Sequence, residues 1–407
     1  MPSRTAPRVL IAGASIAGPT LAYWLHRYGW QPVLLERAAE LRTGGQNIDV
    51  RGAGREVARR MGIEDDIRSA GTGELGIRFI GGDGGTVARF PAGTSDTAGA
   101  TAELEILRGD LAQLLVERTA EHAEYRFGDW VTGLHEDPAG SGVTVSFAHA
   151  PDEQFDLVLA ADGIGSSTRS LVFGDDEVEI RSLGMEITWA TIPRTAADDD
   201  WWRWYNAPGG RTINLRPDPV GTIRASLSYP NDRNGSGTEY SSLDEQRAVL
   251  RERFADAGWE ASRVLDGFDK ADDLYSQSIG QVRAPQWSRG RVGLLGDAAY
   301  CASPVSGMGT SLALVGAYVL AGELAAHVDH RDAFRGYERI MRPYVAQAQN
   351  LPPGVPRIAN PRSPAGIKLF HLGLRVASNP LAGKLGERLS TPPADQIDLP
   401  NYSHLER

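Results

Sequence analysis

Arg8-Val-Leu-Ile-Ala-Gly13-Ala-Ser15-Ile-Ala-Gly18 joins an apolar run directly to a glycine-rich turn. The run is typical of a strand buried on both faces of a parallel sheet. Beyond it, Pro19 to Tyr28 carries apolar residues at helical spacing, and Gly29 is a C-terminal stop signal. A turn of this kind brings backbone amides and a helix N-terminus to a pyrophosphate. The stretch therefore predicts a dinucleotide site, although Ser15 replaces the usual middle glycine. Its predicted contacts are Gly13, Ser15, Ile16, Ala17 and Gly18.

A second apolar strand follows, Gln31-Pro-Val-Leu-Leu-Glu36. Glu36 stands at the offset where a carboxylate accepts hydrogen bonds from the ribose hydroxyls of a bound dinucleotide. An acidic residue there disfavours a ribose with a 2′-phosphate, which leaves FAD and NAD. The pair Glu36-Arg37 favours FAD.

Two later strands also run into acidic residues. Asp156 to Ala161 leads into Asp162-Gly163, and Val292 to Leu295 leads into Gly296-Asp297. Ligands of open α/β sheets bind at the carboxyl ends of the strands. We therefore expect Asp162, Gly163, Gly296 and Asp297 to share the cofactor site.

At these motifs the sequence resembles the class A flavoprotein monooxygenases, the family of para-hydroxybenzoate hydroxylase and of the tetracycline-inactivating monooxygenases. The resemblance implies a non-covalent FAD, with Asp297 on the ribityl hydroxyls. It also implies a loop that lies against the pyrimidine end of the flavin, formed by Pro304, Gly307, Met308, Gly309 and Thr310.

The tetracycline-inactivating branch is similar at further stretches, Arg42 with Gly44-Gly45-Gln46-Asn47-Ile48-Asp49 and Arg108-Gly-Asp110-Leu111. This similarity implies that Arg42, Asp49 and Arg108 contact the cofactor. The chain departs from the family at Tyr300, where many relatives have His, and at Ser311 and Gly316, where Asn and Asp are common. These departures bear on the fine placement of the flavin.

The motifs predict an α/β fold with a Rossmann-like FAD-binding domain at 1–72, 102–174 and 281–330. Alternating strands separated by Gly, Pro, Asn and Asp clusters predict an inserted, mostly antiparallel substrate-binding sheet at 73–101 and 175–280. Residues 331–407 are predicted to form a C-terminal helical cap, with a last helical stretch near Leu369 to Leu389.

The resemblance also implies a reaction cycle in which NAD(P)H binds transiently and reduces FAD. O₂ then forms a C4a-hydroperoxyflavin that hydroxylates an aromatic or polyketide-like small molecule. The cofactor carries the difficult chemistry, so no metal is needed, and we assign no catalytic side chain.

Several residues are candidates for the substrate pocket, each with a structural alternative. The aromatic run containing Trp202 and Trp204 could stack on a planar substrate or simply pack in the sheet. Asn214 and Arg216 share one strand face, where Arg216 could bind an anionic oxygen or be solvated. Arg51 could lie near the flavin or pair structurally with a neighbour. Cys301 is interpreted as a buried structural cysteine.

Composition excludes some functional classes. The net charge is −10, and no Lys/Arg run would track phosphates, which argues against nucleic acid. The N-terminus lacks a secretory pattern, and a single cysteine agrees with a reducing compartment, so a cytoplasmic enzyme is expected. The apolar helix near Leu312 to Ala326 is interpreted as buried rather than as a membrane span.

Three alternatives share the flavin scaffold. A flavin-dependent halogenase needs an active-site lysine, and no lysine precedes Lys270. A Baeyer–Villiger-type oxygenase or an oxidase uses the same fold and stays open. A flavin-binding protein without turnover also stays open because of Tyr300 and Ser311.

Overall fold

The computed structural model describes residues 6–42, 44–92, 102–137, 140–174, 176–231, 242–352, 354–379 and 396–407. Its strands are Arg8–Ala12 (β1), Gln31–Glu36 (β2), Asn47–Asp49 (β3), Gly76–Ile80 (β4), Thr86–Pro91 (β5), Glu105–Leu107 (β6), Glu124–Phe127 (β7), Val131–Glu136 (β8), Val143–Phe147 (β9), Glu153–Phe155 (β10), Leu157–Ala160 (β11), Glu179–Pro193 (β12), Trp202–Ala207 (β13), Arg211–Pro217 (β14), Thr222–Pro230 (β15), Tyr275–Arg283 (β16), Ser288–Arg289 (β17) and Val292–Leu294 (β18).

Its α-helices are Ala17–Arg27 (α1), Gly52–Met61 (α2), Glu64–Ser69 (α3), Arg108–Thr119 (α4), Ser167–Val172 (α5), Leu243–Phe254 (α6), Ala261–Phe268 (α7), Asp297–Tyr300 (α8), Gly309–Ala326 (α9), His330–Gln349 (α10), Val355–Ala359 (α11) and Pro364–Ala377 (α12). Short 3₁₀ turns lie at Pro304–Ser306 and Ser403–Leu405. The predicted helical stretch near Leu369 to Leu389 is described only to residue 379, and its remainder lies outside the described residues.

Six strands form the first sheet in the order β17-β18-β11-β1-β2-β7. All neighbouring pairs except β17 and β18 run parallel. One face packs against α1, α9 and α10, while the other is covered by the antiparallel sheet β10-β9-β8. The apolar runs β1, β2 and β11 are thus buried on both faces, as the sequence predicts.

Seven strands form the second sheet in the order β16-β12-β15-β14-β13-β4-β5. Its neighbours are antiparallel except for β13 and β4, and the β4-β5 hairpin from the earlier segment joins the same sheet. One face is apolar and packs against α6 and α7, where Ile213, Leu227 and Phe254 are fully buried. We call the opposite face, which carries Trp204, Asn214 and their same-face neighbours, the polar face.

The described residues beyond 330 divide between the two sheets. Phe334, Tyr337 and Met341 of α10 are buried in the cluster that covers the first sheet. Tyr402 packs on the same cluster and donates a hydrogen bond of 2.6 Å to Glu323 Oε1 of α9. α10 and residues 396–407 thus belong with the first sheet, because their apolar side chains complete its helical layer. Of the C-terminal elements that the structure describes, α11 and α12 lie over the second sheet, where Asn206 of β13 bonds the carbonyl oxygen of Ala359.

Within the described residues, α9 is the helix long and apolar enough to cross a bilayer, but 83% of that stretch is buried inside the protein. It begins at Gly309, earlier than the sequence suggested, and continues through Gly322. The ring of Tyr402 lies against Gly322, where a Cβ would come within 2.1 Å of it. α9 is therefore the central core helix of the first layer.

Tyr300 and Gly316 are two positions at which the chain departs from the family pattern, and the sizes of their side chains compensate each other. A Cβ at Gly316 would lie 2.1 Å from Tyr300 Oη, so the large ring fits only because residue 316 has no side chain. Tyr300 Oη lies 2.8 Å from Tyr337 Oη, and Tyr337 donates to the carbonyl oxygen of Leu294 at 3.2 Å. The two tyrosines thus join α8, α9 and α10 behind β18.

Gly316→Ala is expected to destabilise the protein by about 1–3 kcal/mol, since the new methyl group overlaps the phenol oxygen of Tyr300. Gly373→Ala is the matched control, because a Cβ at this helical position meets nothing within 4 Å. Urea denaturation measures both variants. Equal stability of the two variants would show that the Tyr300 packing is not tight.

Candidate cofactor and substrate site

The carboxyl ends of four parallel neighbours, β18, β11, β1 and β2, meet at one edge of the first sheet. Residues that directly follow these strands are therefore brought together. Gly13 follows β1, Asp162 follows β11 and Asp297 follows β18. The three ordered motifs of the sequence converge on one cleft.

The turn after β1 has no room for side chains at its two glycines. Gly13 adopts a φ of +106°, and a Cβ there would lie 2.4 Å from the carbonyl oxygen of Ala161. A Cβ at Gly18 would lie 1.9 Å from the carbonyl oxygen of Gly13. Ser15, at the position of the missing middle glycine, accepts a hydrogen bond of 2.9 Å from Arg108 Nη1. The substitution by Ser15 therefore adds a tether to α4 and leaves the turn intact.

Glu36 is held at the end of β2 by backbone amides. Its Oε2 accepts from the amide of Ala14 at 3.1 Å, and its Oε1 accepts from the amide of Ala38 at 3.0 Å. Arg37 points elsewhere, donating to Ser167 Oγ at 2.7 Å on α5 and lying 5.5 Å from the Trp130 ring. The carboxylate of Glu36 thus stands directly beside the glycine turn.

Arg108 connects three segments around the cleft. Besides Ser15, its guanidinium donates to the carbonyl oxygen of Gly44 at 2.9 Å. Gly45 allows this approach, since a Cβ there would lie 2.7 Å from Arg108 Nε. Burial lowers the pKa of Arg108. Because this side chain has little water around it, an anionic ligand would stabilise its charge. Arg42, in contrast, is exposed.

The loop after β11 is fixed from within. Asp162 accepts from Ser166 Oγ and from the amide of Thr168, the latter at 3.1 Å, so its carboxylate organises the start of α5. A Cβ at the neighbouring Gly163 would meet nothing within 4 Å. This glycine therefore offers an open surface to a ligand.

Arg169 is a structural residue that the site prediction left out. It is buried and donates to the carbonyl oxygens of Ile164, at 2.9 Å, and Ala298, at 3.0 Å. It thereby joins the loop after β11 to α8, which follows β18. The signal for this role was present, since Arg169 ends the Asp-Gly-x-x-Ser-x-x-Arg pattern.

Asp297 faces the cleft. Its side chain is exposed at the surface. The protein atoms around its carboxyl group nevertheless reduce its solvation, and this raises the pKa of the carboxyl group. The neighbouring Cys301 is buried, and burial raises the pKa of its thiol well above the ordinary value. A carboxyl group in this position suits hydroxyl ligands. A buried thiol with a raised pKa is typical of a structural cysteine.

The segment from Pro304 to Thr310 is rigidly built. Ser303 has a φ of +81°, and its hydroxyl accepts from the amide of Val305 at 3.1 Å. Ser306 Oγ accepts from the amide of Met308 at 3.1 Å. A Cβ at Gly309 would meet nothing within 4 Å, so the N-terminus of α9 opens onto free space. Helix N-termini present unpaired amides that stabilise anions.

α9 is also anchored to the segment around Arg51, which the sequence analysis placed near the flavin as one alternative. Ser311 donates to the carbonyl oxygen of Arg51 at 3.1 Å. A Cβ at Gly54 would lie 2.8 Å from Ser311 Oγ, so a longer side chain at 311 would displace α2. Ser311 thus fixes the distance between α2 and the start of α9.

The residues of this cleft fit FAD. The glycine turn and the start of α1 can receive a pyrophosphate, Glu36 can receive a ribose, and Asp297 can receive the ribityl hydroxyls. The start of α9 can stabilise the negative end of a reduced isoalloxazine. Each of these four parts of FAD thus has a matching residue or backbone group among the described residues.

Of the predicted substrate residues, Trp202, Trp204, Asn214 and Arg216 lie on the polar face, whereas Arg51 lies at the start of α2. Trp202 Nε1 donates to Asn214 Oδ1 at 3.0 Å, and Arg216 Cζ lies 4.2 Å from the centre of the Trp202 ring. Tyr275 on the same face donates to Gln46 Oε1 at 2.7 Å and stacks on Trp189. The polar face therefore meets the segment that contains Gln46.

Both candidate arginines already have carboxylate partners. Arg216 bonds Glu74 at 2.8 Å and also pairs with Glu105. Arg51, only 1% exposed, bonds Asp49 at 2.8 Å. The pairing expected as an alternative for Arg51 is present, and Arg216 is neither solvated nor available as an uncompensated cation.

Burial raises the pKa of Glu74 to about 8, with the charges of Glu105 and Asp49 adding to the effect and Arg216 opposing it. Glu74 and Glu105 were absent from the sequence prediction. No local pattern marks them, since Arg216 bonds them across 142 and 111 positions of the chain.

The fold and the cleft define an FAD-binding oxidoreductase, and comparison with known proteins agrees. A family model described as an FAD binding domain matches residues 7–350. The flavin-dependent monooxygenase eupH of Phoma sp is 34% identical, over 98% of this chain and 98% of the relative. The chain belongs to this family of FAD-dependent monooxygenases. Its cofactor is FAD, and NAD(P)H is the reductant typical of the family.

Solved structures extend the comparison. The tetracycline destructase Tet(51) superimposes with a TM-score of 0.81 at 31% identity, covering 98% of this chain and 100% of the other. HpxO of Klebsiella pneumoniae, solved with FAD and uric acid, gives a TM-score of 0.72 at 22% identity and covers 95% and 97% of the two chains. The latter likeness supports the fold alone.

Arg108→Ala is expected to raise the FAD dissociation constant about tenfold to a hundredfold, because two charged hydrogen bonds that shape the cleft are lost. Flavin fluorescence titration of the apoprotein measures it. Arg118→Ala is the control on the same helix, where the side chain bonds only the carbonyl oxygen of Met61. Equal affinities in the two variants would contradict the role of Arg108.

Glu74→Gln is expected to become progressively more stable than the wild type as the pH rises. The folded pKa of about 8 exceeds the ordinary 4.5, so the folded state keeps a proton that the unfolded state loses. The stability of the wild type therefore decreases as the pH rises from 4.5 to about 8, and the decrease is complete above about pH 8.

Urea denaturation of the holoenzyme from about pH 5 to about pH 9 tests this window. Glu117→Gln, at an exposed position on α4, controls for removal of a carboxylate. A stability difference between Glu74→Gln and wild type that stays constant with pH would refute the raised pKa.

Proposed function

We propose that this monooxygenase hydroxylates an aromatic or polyketide-like small molecule bound between the polar face of the second sheet and the flavin end of the cleft. The observation that supports this best is the asymmetry of the sheet. One face is a closed apolar core with α6 and α7, while the other carries the hydrogen-bonded pair Trp202 and Asn214 and contacts Gln46 through Tyr275. The second sheet is then the substrate-binding layer of the fold.

Residues around the first sheet would hold the cofactor. The turn from Gly13 to Gly18 would bind the pyrophosphate, Glu36 the adenosine ribose and Asp297 the ribityl chain. Arg108 would keep the turn and the segment at Gly44 in register. Bound FAD supplies the reductive activation of O₂ and the transfer of one oxygen atom.

The protein's contribution to the reaction would be positioning and exclusion of water. The stacked rings of Trp189 and Tyr275, with centroids 4.9 Å apart, form an apolar wall where the polar face meets Gln46. Trp202 lies on the same face with β15 and β14 between it and Trp189, and Arg216 lies over its ring. A planar substrate could stack there, and a dry cavity protects the oxygenating species from water. If these tryptophans only pack in the sheet, replacing them should leave the substrate affinity unchanged.

The proposal is tested by incubating the FAD-loaded enzyme with NADH or NADPH and a panel of phenols and aromatic polyketides. We expect at least one compound to accelerate NAD(P)H oxidation and to gain one atom from isotopically labelled O₂. Mass spectrometry detects the oxygen, and NMR distinguishes a phenol from the ring-expanded ester of a Baeyer–Villiger reaction. Oxidation of NAD(P)H that yields only hydrogen peroxide with every compound would overturn hydroxylation.

A further inference from the structure

Exposed apolar side chains are concentrated in the segment that contains α11 and α12. Among the described residues, twelve large apolar side chains are exposed, and four of them lie between Ile358 and Val376. The other eight are spread along the chain from Leu75 to Val328. Single exposed apolar residues are ordinary on a protein surface, whereas a group of them marks a contact with another molecule. This segment is therefore a candidate interaction surface.

Three of these side chains lie on one side of α12. Leu369, Leu372 and Val376 are spaced by three and four residues, which places them in a row along the helix. They are 71%, 57% and 59% exposed, and we call them the outer row. The opposite side of α12 meets the second sheet, where the Phe370 ring lies 5.9 Å from that of Phe79 on β4. The helix thus has one side on the protein and an apolar side facing solvent.

Basic residues border the outer row. Lys368 precedes Leu372 by four positions and Arg375 follows it by three, so both lie beside it on the helix surface. Both are exposed, and neither has a carboxylate partner within the part of the chain that the structure describes. Long basic side chains can lay their stems on an apolar surface while the charged ends reach outward. The outer side of α12 is therefore apolar with a basic edge.

The charge of this part of the chain differs from that of the rest. The chain contains 52 acidic residues in 407 and has a net charge of −10, yet no Asp or Glu occurs between Glu338 and Glu387. The same stretch contains seven Lys and Arg residues. Because the rest of the chain is more acidic still, an anionic surface would attract the protein through this stretch and repel it elsewhere. The charge pattern thus favours a polyanionic partner in one orientation.

A lipid surface matches both properties of α12, whereas other partners match one of them. In a two-fold dimer the same patch meets itself, so Lys368 and Arg375 would face the identical cations of a second copy. Nucleic acid supplies phosphates but no apolar layer for the outer row. An anionic bilayer supplies phosphates at its surface and an apolar layer directly beneath them. The combination of apolar row and basic edge therefore favours the bilayer.

We infer that the outer side of α12 is a docking surface that holds the enzyme on an anionic lipid bilayer without spanning it. The outer row enters the boundary between headgroups and acyl chains, while Lys368 and Arg375 bind lipid phosphates. The helix lies along the plane of the bilayer, since its other side rests on the second sheet. This inference concerns where the enzyme binds and is independent of the reaction proposed above.

The test is co-sedimentation of the FAD-loaded enzyme with lipid vesicles. Vesicles of equal parts phosphatidylcholine and phosphatidylglycerol are compared with vesicles of phosphatidylcholine alone. We expect the anionic vesicles to bind the enzyme at least about tenfold more tightly, since each cation near such a surface contributes about fivefold. High salt should remove this difference because it screens the charges.

The double variant Lys368→Gln with Arg375→Gln is expected to bind the anionic vesicles about 25-fold more weakly, because two charge contacts are lost. Arg331→Gln with Arg335→Gln is the matched control, since both arginines are exposed on α10. The control should bind as the wild type does. Circular dichroism checks that both variants remain folded.

Leu372→Ser is expected to weaken binding to the anionic vesicles about tenfold, because its side chain no longer enters the acyl layer. Val220→Ser removes an exposed apolar side chain from the turn between β14 and β15 and should leave binding unchanged. Neither residue is buried, so neither change disturbs the core.

Three results would overturn the docking surface. The first is equal binding to the two kinds of vesicle, or no binding to either. The second is wild-type binding in both the double Gln variant and Leu372→Ser. The third is a stable dimer without vesicles that Leu372→Ser converts to monomers, since a second copy would then cover the outer row. Failure of the proposed function looks different, because vesicle binding would follow the expected pattern while no compound is oxygenated.

Discussion

The carbonyl oxygen of Gly13 lies so close to Gly18 that no side chain fits between them. This contact sets how near α1 begins to the end of β1, and therefore where its first amides point. The other parts of the cleft take their positions from this turn. Glu36 reaches the amide of Ala14 within it, and Arg108 reaches the hydroxyl of Ser15. A cofactor cleft assembled from distant segments thus depends on one close approach of backbone to backbone.

In the second sheet, successive side chains of each strand alternate between the two faces, and the two faces have different roles. In β13 and β14, Tyr205 and Ile213 face the helices α6 and α7, while Trp204 and Asn214 face the opposite side. Stability comes from the first set, so residues of the second set can vary without loss of the core. This separation allows one scaffold to accept different ligands.

Sequence reasoning succeeded where the fold is encoded locally. The first residues predicted the strand, turn and helix around Gly13 that the fold contains, while the cofactor contacts assigned to Glu36 and Asp297 stay predictions. The fold class followed from the same motifs, and the family resemblance is confirmed by the comparisons. It failed for Glu74, because pairing with Arg216 depends on how two sheets meet and not on spacing along the chain. The helix α10 was assigned to a cap for the same reason, since an amphipathic pattern does not show which element the apolar face of the helix packs against.

Residues 396–407 give the first layer an unusual dependence on the order of synthesis. Tyr402 packs into the cluster that begins with β1, and Arg27 of α1 pairs with Glu406, 379 positions away. Chains emerge from the ribosome N-terminal end first, and domains usually fold as they emerge. Here the cluster that begins with β1 and α1 is completed only when residues 396–407 have been made, hundreds of positions later.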